Sequence, residues 1–295
     1  MATVSGTTNP ELFPLYYERK LLEYVKQNLV ALKYGQKRGL KPHSGRQVVF
    51  TRFEPLPPST TPITFKPTPS EGRTISTQQI TAILEEYGDY IDLDEFTDIT
   101  SFVPLVDEVT DLLSYQAQLS LDTIAMQELT SGTNVLYAGG VTSRDQLDGS
   151  QKITKADIRK AVNLLKRANI PPFPDGYFVC FIHPDKLTEL FTEQELITLS
   201  VAKTAYLETG NVLRFAGVQF VETTAIPVIE SNGTAIYQTL VFGQNAYGVV
   251  NIDGNTIKME MTNLDKLGRV KTLGWKAYFA CKRLYEPAIV RIESN

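Results

Sequence analysis

Residues 101–132 constrain the fold more than any other stretch. Leu105, Val109, Leu112, Leu113, Ala117, Leu121, Ile124 and Ala125 recur at three- and four-residue steps, which is one face of a helix. Ser101 is the expected N-cap, and Pro104 falls in the first turn, where its missing N–H costs nothing. Asp107, Glu108 and Asp111 lie at the end that the helix dipole favours for acids. Gly132 is the expected stop. The pattern predicts a helix of about 28 residues, roughly 42 Å long, against about 11–12 residues for an ordinary globular helix. A rod of that length needs other elements draped along it. Two readings fit: a core helix in an α/β enzyme, or the structural spine of an extended subunit.

The second constraint is a proline-rich excursion between two strand-like runs. Gln47–Phe53 (QVVFTRF) is β-branched and aromatic, as strands are. Pro55, Pro57, Pro58, Pro62, Pro67 and Pro69 follow. Proline removes donors and fixes φ, so this segment is neither a helix nor a central strand. Residues 77–84 (TQQITAIL) return as a strand. The result is an extended flap, and connections this long are usually functional or disordered. The flap is either a surface loop or an arm ordered against another subunit.

The rest of the chain reads in order. Residues 1–14 are an arm with little structure of its own. Residues 16–28 form a short helix with Leu21, Leu22 and Val25 on its apolar side, followed by Leu29. Residues 34–44 are a Gly- and Lys-rich loop, and residues 87–98 lead into the long helix. Thr154 and Asp157 open a second helix in capping-box fashion, with Ile158, Val162, Leu164 and Leu165 following and Pro171-Pro172 ending it. Residues 177–183 (YFVCFIH) are a continuous apolar run, hence a buried strand. Pro184 opens a short helix through Leu190. Residues 217–223, 235–242 and 248–252 are further strands, and residues 274–291, with the single tryptophan Trp275, form the closing strand region. The class is α+β.

Charge is unevenly distributed although the net is −4. Residues 24–53 hold Lys26, Lys33, Lys37, Arg38, Lys41, Arg46 and Arg52 and no acid. Residues 74–143 hold twelve acids and no Lys or Arg. Such asymmetry signals interaction between segments or with partners. The expectation is that several of Lys37, Arg38, Lys41, Arg46 and Arg52 approach Glu85, Glu86, Asp89, Asp92, Asp94 or Glu95, within or between chains. The basic stretch could also touch phosphates non-specifically, although it carries no nucleic-acid-binding motif.

Chemistry is sparse. There is no nucleophile elbow, Walker loop, dinucleotide glycine fingerprint or metal-spaced Cys pair. Cys180 and Cys281 read as buried small hydrophobes. His183, beside Pro184-Asp185, reads as a satisfied turn residue, and its three-residue spacing from Cys180 puts the two on opposite faces of a strand. Asp92, Asp94 and Glu95 could hold a divalent cation but lack an EF-hand's glycine and spacing, so a solvated acidic face is the reading. No catalytic, cofactor-binding or metal residue is assigned. No run approaches the roughly 18 apolar residues of a membrane span, and no signal-peptide core is present. The expectation is a soluble protein made in a cytosol.

A series of runs in fixed order resembles the major capsid (coat) protein family of tailed bacteriophages typified by the phage-N4 coat protein. The runs are residues 16–22 (YYERKLL), 34–37 (YGQK), 50–62 (FTRFEPLPPSTTP), 87–90 (YGDY), 132–140 (GTNVLYAGG), 181–185 (FIHPD) and 274–280 (GWKAYFA). The resemblance implies an α+β, Hong Kong-97-type (Johnson) phage capsid fold. Its segments would be an N-terminal arm (1–46), an extended loop (47–86) and a peripheral domain with the spine helix (87–145). An axial domain (146–255) and closing strands (256–295) would follow. It implies self-assembly into hexamers and pentamers of an icosahedral virion shell in the host bacterial cytoplasm. Portal, scaffolding and decoration proteins and packaged double-stranded DNA are the implied partners, with no cofactor, no membrane and no enzyme activity. No large cleaved scaffolding segment is expected before the arm. The rivals are an α/β enzyme with an unrecognised site and a non-specific nucleic-acid-binding protein.

Overall fold

A computed structural model describes residues 30–60, 74–101, 105–191, 214–231, 233–252 and 257–295. The expected arm at 1–14, the helix at 16–28, Pro104, and Pro62, Pro67 and Pro69 of the flap lie outside the described residues. In chain order the elements begin α1 (Ala31–Tyr34), β1 (Gln36–Leu40), β2 (Gln47–Phe53), β3 (Thr77–Ile83), β4 (Glu85–Asp94), α2 (Glu95–Thr100), α3 (Leu105–Thr130) and β5 (Val135–Tyr137). Then come α4 (Lys155–Arg167), β6 (Phe178–Ile182), α5 (Pro184–Phe191), β7 (Arg214–Phe215), β8 (Val218–Glu222), β9 (Ile229–Ser231) and β10 (Thr234–Phe242). The last are β11 (Tyr247–Ile252), β12 (Ile257–Asn263), β13 (Val270–Arg283) and β14 (Ile289–Ser294).

The spine is α3, with 26 residues. Leu113, Ala117, Leu121 and Ala125 form its buried face as expected. Leu112 does not belong to that face. One residue is a 100° step on a helix, so Leu112 joins Tyr115 and Leu119 in a second stripe that is exposed. Thr110, Ser114 and Thr130 are buried because each hydroxyl donates to the carbonyl four residues back. Ser101 does not cap the spine. A short helix intervenes, begun by the Asp94 carboxylate accepting from the Thr97 N–H, and Ser101 closes it by donating its N–H to the Thr97 carbonyl. The spine's first N–H, from Leu105, is instead satisfied by Asp98 Oδ1 at 3.1 Å.

Two mixed sheets flank the spine. The five-stranded sheet is built on β13, which pairs antiparallel with β4 over residues 270–279, β12 over 271–277 and β11 over 279–283. β1 adds parallel to β11. The seven-stranded sheet runs β5-β14-β10-β6-β8-β7, with β9 also on β10. Among the described residues β2 and β3 pair with each other alone, Gln47 opposite Ile83 through Phe53 opposite Thr77. One apolar cluster spans both large sheets, the spine and α4. The capping box on α4 is present: Thr154 accepts from the Asp157 N–H and Asp157 accepts from the Thr154 N–H.

The sequence pattern predicts no strand at β1, β4, β5, β7, β9 or β12, and two of these are instructive. Residues 36–40, expected as loop, form β1 because β11 offers a parallel partner. Residues 85–94 form β4 although acids and a glycine are poor strand formers; ten register pairs with β13 override the local preference. The closing region divides at a short 3-10 turn, Glu286–Ala288, which sends β13 and β14 to different sheets.

The spine's C-terminal end lacks its own cations and is held from elsewhere. Arg291 of β14 donates to the Thr130 carbonyl. Lys282 pairs with Glu128 at 2.9 Å, Arg283 pairs with Glu286 at 2.7 Å, and Glu286 accepts from the Thr133 N–H. Gly132 is needed for this closeness: a Cβ there would stand 2.9 Å from both Arg283 and Glu286.

Candidate assembly surface

The groups singled out for chemistry are each occupied structurally. His183 Nδ1 accepts from the Asp185 N–H at 3.3 Å, and the ring lies 5.0 Å from Tyr237. Cys180 is fully buried in β6, and burial pushes its thiol pKa up. Burial likewise pushes the Cys281 thiol up to about 12. The acids at 92, 94 and 95 make separate contacts. Asp92 accepts from Thr272 Oγ1 at 2.6 Å, Asp94 caps α2, and Glu95 pairs with Lys271 at 3.6 Å. No group of three metal-ligating side chains occurs among the described residues. No helix among them is long and apolar enough to cross a membrane.

Among the described residues the expected pairing of basic and acidic blocks does not occur within the chain. Among the described residues, no ion pair joins Lys37, Arg38, Lys41, Arg46 or Arg52 to the acids at 85–95. Arg52 stacks its guanidinium 3.9 Å from the centre of the Tyr285 ring and donates to Gln78 Oε1 at 2.6 Å. Arg38 lies 5.9 Å from the Phe50 ring. Asp89 accepts from Gln116 of the spine at 2.5 Å. Asp92 and Asp89 find partners on β13 and α3 because β4 is a strand packed there.

The surface itself is unusual for an isolated subunit. The flap's outward face carries Val49, Phe53 (67% exposed) and Ile83, and beyond its strands Leu56 and Ile75 (66% exposed) are also bare. Among the described residues β2 and β3 each have one edge without a strand partner, and such edges template pairing with another chain. A second apolar group, missed in the sequence, lies where the β12–β13 turn meets α2. Phe96 (74%) and Ile99 (75%) share one face of α2, and Leu264 and Leu267 stand on the adjoining turn, which is joined to α2 by Glu95 N–H donating to the Arg269 carbonyl. Two apolar residues three apart inside an acidic run were the available signal. Scattered exposed apolar residues are ordinary; contiguous ones mark interaction surfaces. Two clefts, of about 280 and 420 Å³, lie beside the spine. The larger runs under the flap base, between Thr81, Ile124, Glu128 and Phe279.

A long spine, two sheets sharing one core and a two-stranded flap are the architecture of the Hong Kong-97-type capsid fold, and solved capsids match it. The capsid of Ralstonia phage GP4 matches with a TM-score of 0.70 at 13% identity, covering 88% of this chain and 86% of that one. The capsid of cyanophage P-SCSP1u matches at 0.68 and 15% identity over 88% and 86%. The capsid of Helicobacter pylori bacteriophage KHP30 matches at 0.66 and 12% over 88% of each. No curated protein sequence matches the chain. The phage capsid protein family model matches residues 77–292, and the chain belongs to that family. It is a structural major capsid protein of the virion that works by self-association, and its family and fold are not those of enzymes.

Proposed function

We propose that this chain is the repeating subunit of an icosahedral shell, closing into hexamers and pentamers around double-stranded phage DNA. The observation that carries the reading is the flap, a two-stranded sheet whose outward face exposes Val49, Phe53 and Ile83 and whose two outer edges have no strand partner among the described residues. A second copy covers both. Each contact can be weak, because closed symmetry multiplies it over many copies. On this reading residues 1–46 are the arm, 47–86 the extended loop, 87–145 the peripheral domain and 146–255 the axial domain. Residues 256–295 return to both, in keeping with β13 and β14 lying in different sheets. The subunit belongs with the phage-N4-type coat proteins. Assembly takes place in the host bacterial cytoplasm, with portal, scaffolding and decoration proteins as further partners.

The unmatched charge blocks then act between chains. Exposed pairs are worth about 0–1 kcal/mol each, enough to set register and make assembly salt-sensitive when repeated. Reversing Arg38 and Arg46 should impair assembly, and reversing Glu85, Glu86 and Asp89 in the same chain should partly restore it. The primary test is negative-stain microscopy of the expressed chain. Wild type should give shells, tubes or rings. Deleting residues 57–69 should leave a folded, soluble subunit that forms no closed shell; normal particles from that deletion would overturn the proposal.

A further inference from the structure

The flap meets the body at two levels. Cross-strand partners share a face, so Val48, Phe50 and Arg52 point the same way as Ala82, Ile80 and Gln78. At the first level the Phe50 ring is buried among Leu40, Ala82, Leu84, Val250, Ala280 and Leu284. It lies directly over Gly248 of β11: a Cβ there would stand 2.5 Å from Phe50 Cζ and 2.8 Å from Cε1. At the second level Arg52 stacks on Tyr285, and its bond to Gln78 ties the two flap strands together at the same height. Tyr285 sits between β13 and β14, where the two large sheets separate. Below both levels the Leu84 N–H donates to the Arg46 carbonyl at 2.8 Å and closes the base.

One contact would act as a pivot. Two contacts about 6.6 Å apart along the strand, at roughly 3.3 Å per residue, fix an angle. The chain from Phe53 to Thr60 reaches about 23 Å further if extended, so a tilt of about 10° moves its end by about 4 Å, close to the roughly 4.8 Å spacing between paired strands. An error of that size changes which residues of a neighbour the flap meets.

We infer that Phe50 against Gly248 and Arg52 against Tyr285 form a two-point clamp that sets the flap angle within each subunit and thereby the curvature of the shell. The part concerning curvature rests on the assembly reading above; the clamp itself does not. Phe50, Gly248, Arg52 and Tyr285 are positioning residues. The flap is aimed before a neighbour arrives rather than bent into place by it.

The test uses the full chain in wild-type form and as Gly248→Ala, Arg52→Gln and the double variant Gly248→Ala with Phe50→Leu. In Gly248→Ala the new methyl displaces the Phe50 ring; the smaller side chain in the double variant gives back the room. Particle diameters from micrographs are compared with melting of the dissociated subunit. The expected result is subunits that melt within a few degrees of wild type but give particles of shifted or broadened diameter, narrowing again in the double variant. Folded variants with wild-type diameters would overturn the inference. So would variants that lose folded yield while the survivors build normal particles. In parallel, spin labels at Ser59 and Tyr115, each changed to Cys, report the flap-to-spine distance in the dissociated subunit. A narrow distribution that broadens in Arg52→Gln supports the clamp even if wild type forms no shells, a result that would sink the assembly reading alone. A distribution equally broad in both would sink the clamp.

Discussion

Replacing Asp122 with alanine should destabilise the subunit, and replacing it with asparagine should not. Asp122 sits on the buried side of the spine, and its Oδ1 accepts from the Ala31 N–H at 3.0 Å. The Ala31 carbonyl accepts from the buried Tyr247 hydroxyl at 2.6 Å. One residue of α1 is therefore held through both backbone groups, and it fastens the chain before the flap to the spine. In Asp122→Ala the Ala31 N–H is left buried without an acceptor, which costs about 1–3 kcal/mol; in a chain of this size each kcal/mol lowers the melting temperature by about 2–4 °C. Asparagine keeps the oxygen and discards the charge. Burial raises the Asp122 pKa more than the Ala31 bond lowers it. A carboxyl raised in the fold contributes stability that is complete below its unfolded value, about 4, and is lost as pH rises through the folded value. Asp122→Asn should thus match or exceed wild type at neutral pH, with any advantage shrinking on acidification. Melting of dissociated subunits across pH is the assay. An asparagine variant as damaged as the alanine one, or an advantage that grows on acidification, would refute the reasoning.

Leu113→Ala or Leu121→Ala, both at fully buried spine positions, should each cost about 2–5 kcal/mol, read as a lower urea midpoint of the dissociated subunit. Glu293 is fully buried and held by Arg144 at 2.6 and 2.8 Å and by Arg291 at 3.0 Å. Glu293→Ala leaves guanidinium charge uncompensated and should cost roughly 3–5 kcal/mol in the same titration. The two thiols, one buried in β6 and one raised to about 12, should react with a thiolate-seeking reagent at pH 8 far more slowly in folded than in urea-unfolded protein; rapid labelling of the folded chain would contradict the burial.

The spine was legible because its apolar repeat is long and its core partners are aliphatic. The capping box at Thr154 and the apolar run in β6 were equally plain, since both signals are local. The start of the spine was not: Ser101 looks like a cap, and only the fold shows that Asp98, seven residues before Leu105, takes that role. β1 and β4 were hidden for a different reason. Their sequences, QKRGL and EEYGDYIDLD, have little strand character and become strands because β11 and β13, more than 150 residues away, present matching edges. The flap could be read as an excursion from its prolines, but its clamp could not. A glycine under a ring and an arginine on a tyrosine join residues 50 and 52 to 248 and 285, and no spacing rule links positions so far apart.

The late position of β13 and β14 has a consequence for timing. β13 is the strand that β4, β11 and β12 all pair with, and β14 lies between β5 and β10. Arg291 also closes the far end of a helix completed some 160 positions before it. A polypeptide emerging from the ribosome has therefore had its spine, its flap strands and the other strands of both sheets synthesised before the two strands that join them exist. On the proposed clamp, a chain still short of Tyr285 lacks the second point that would fix the flap angle, so aiming the flap would be a late event in synthesis.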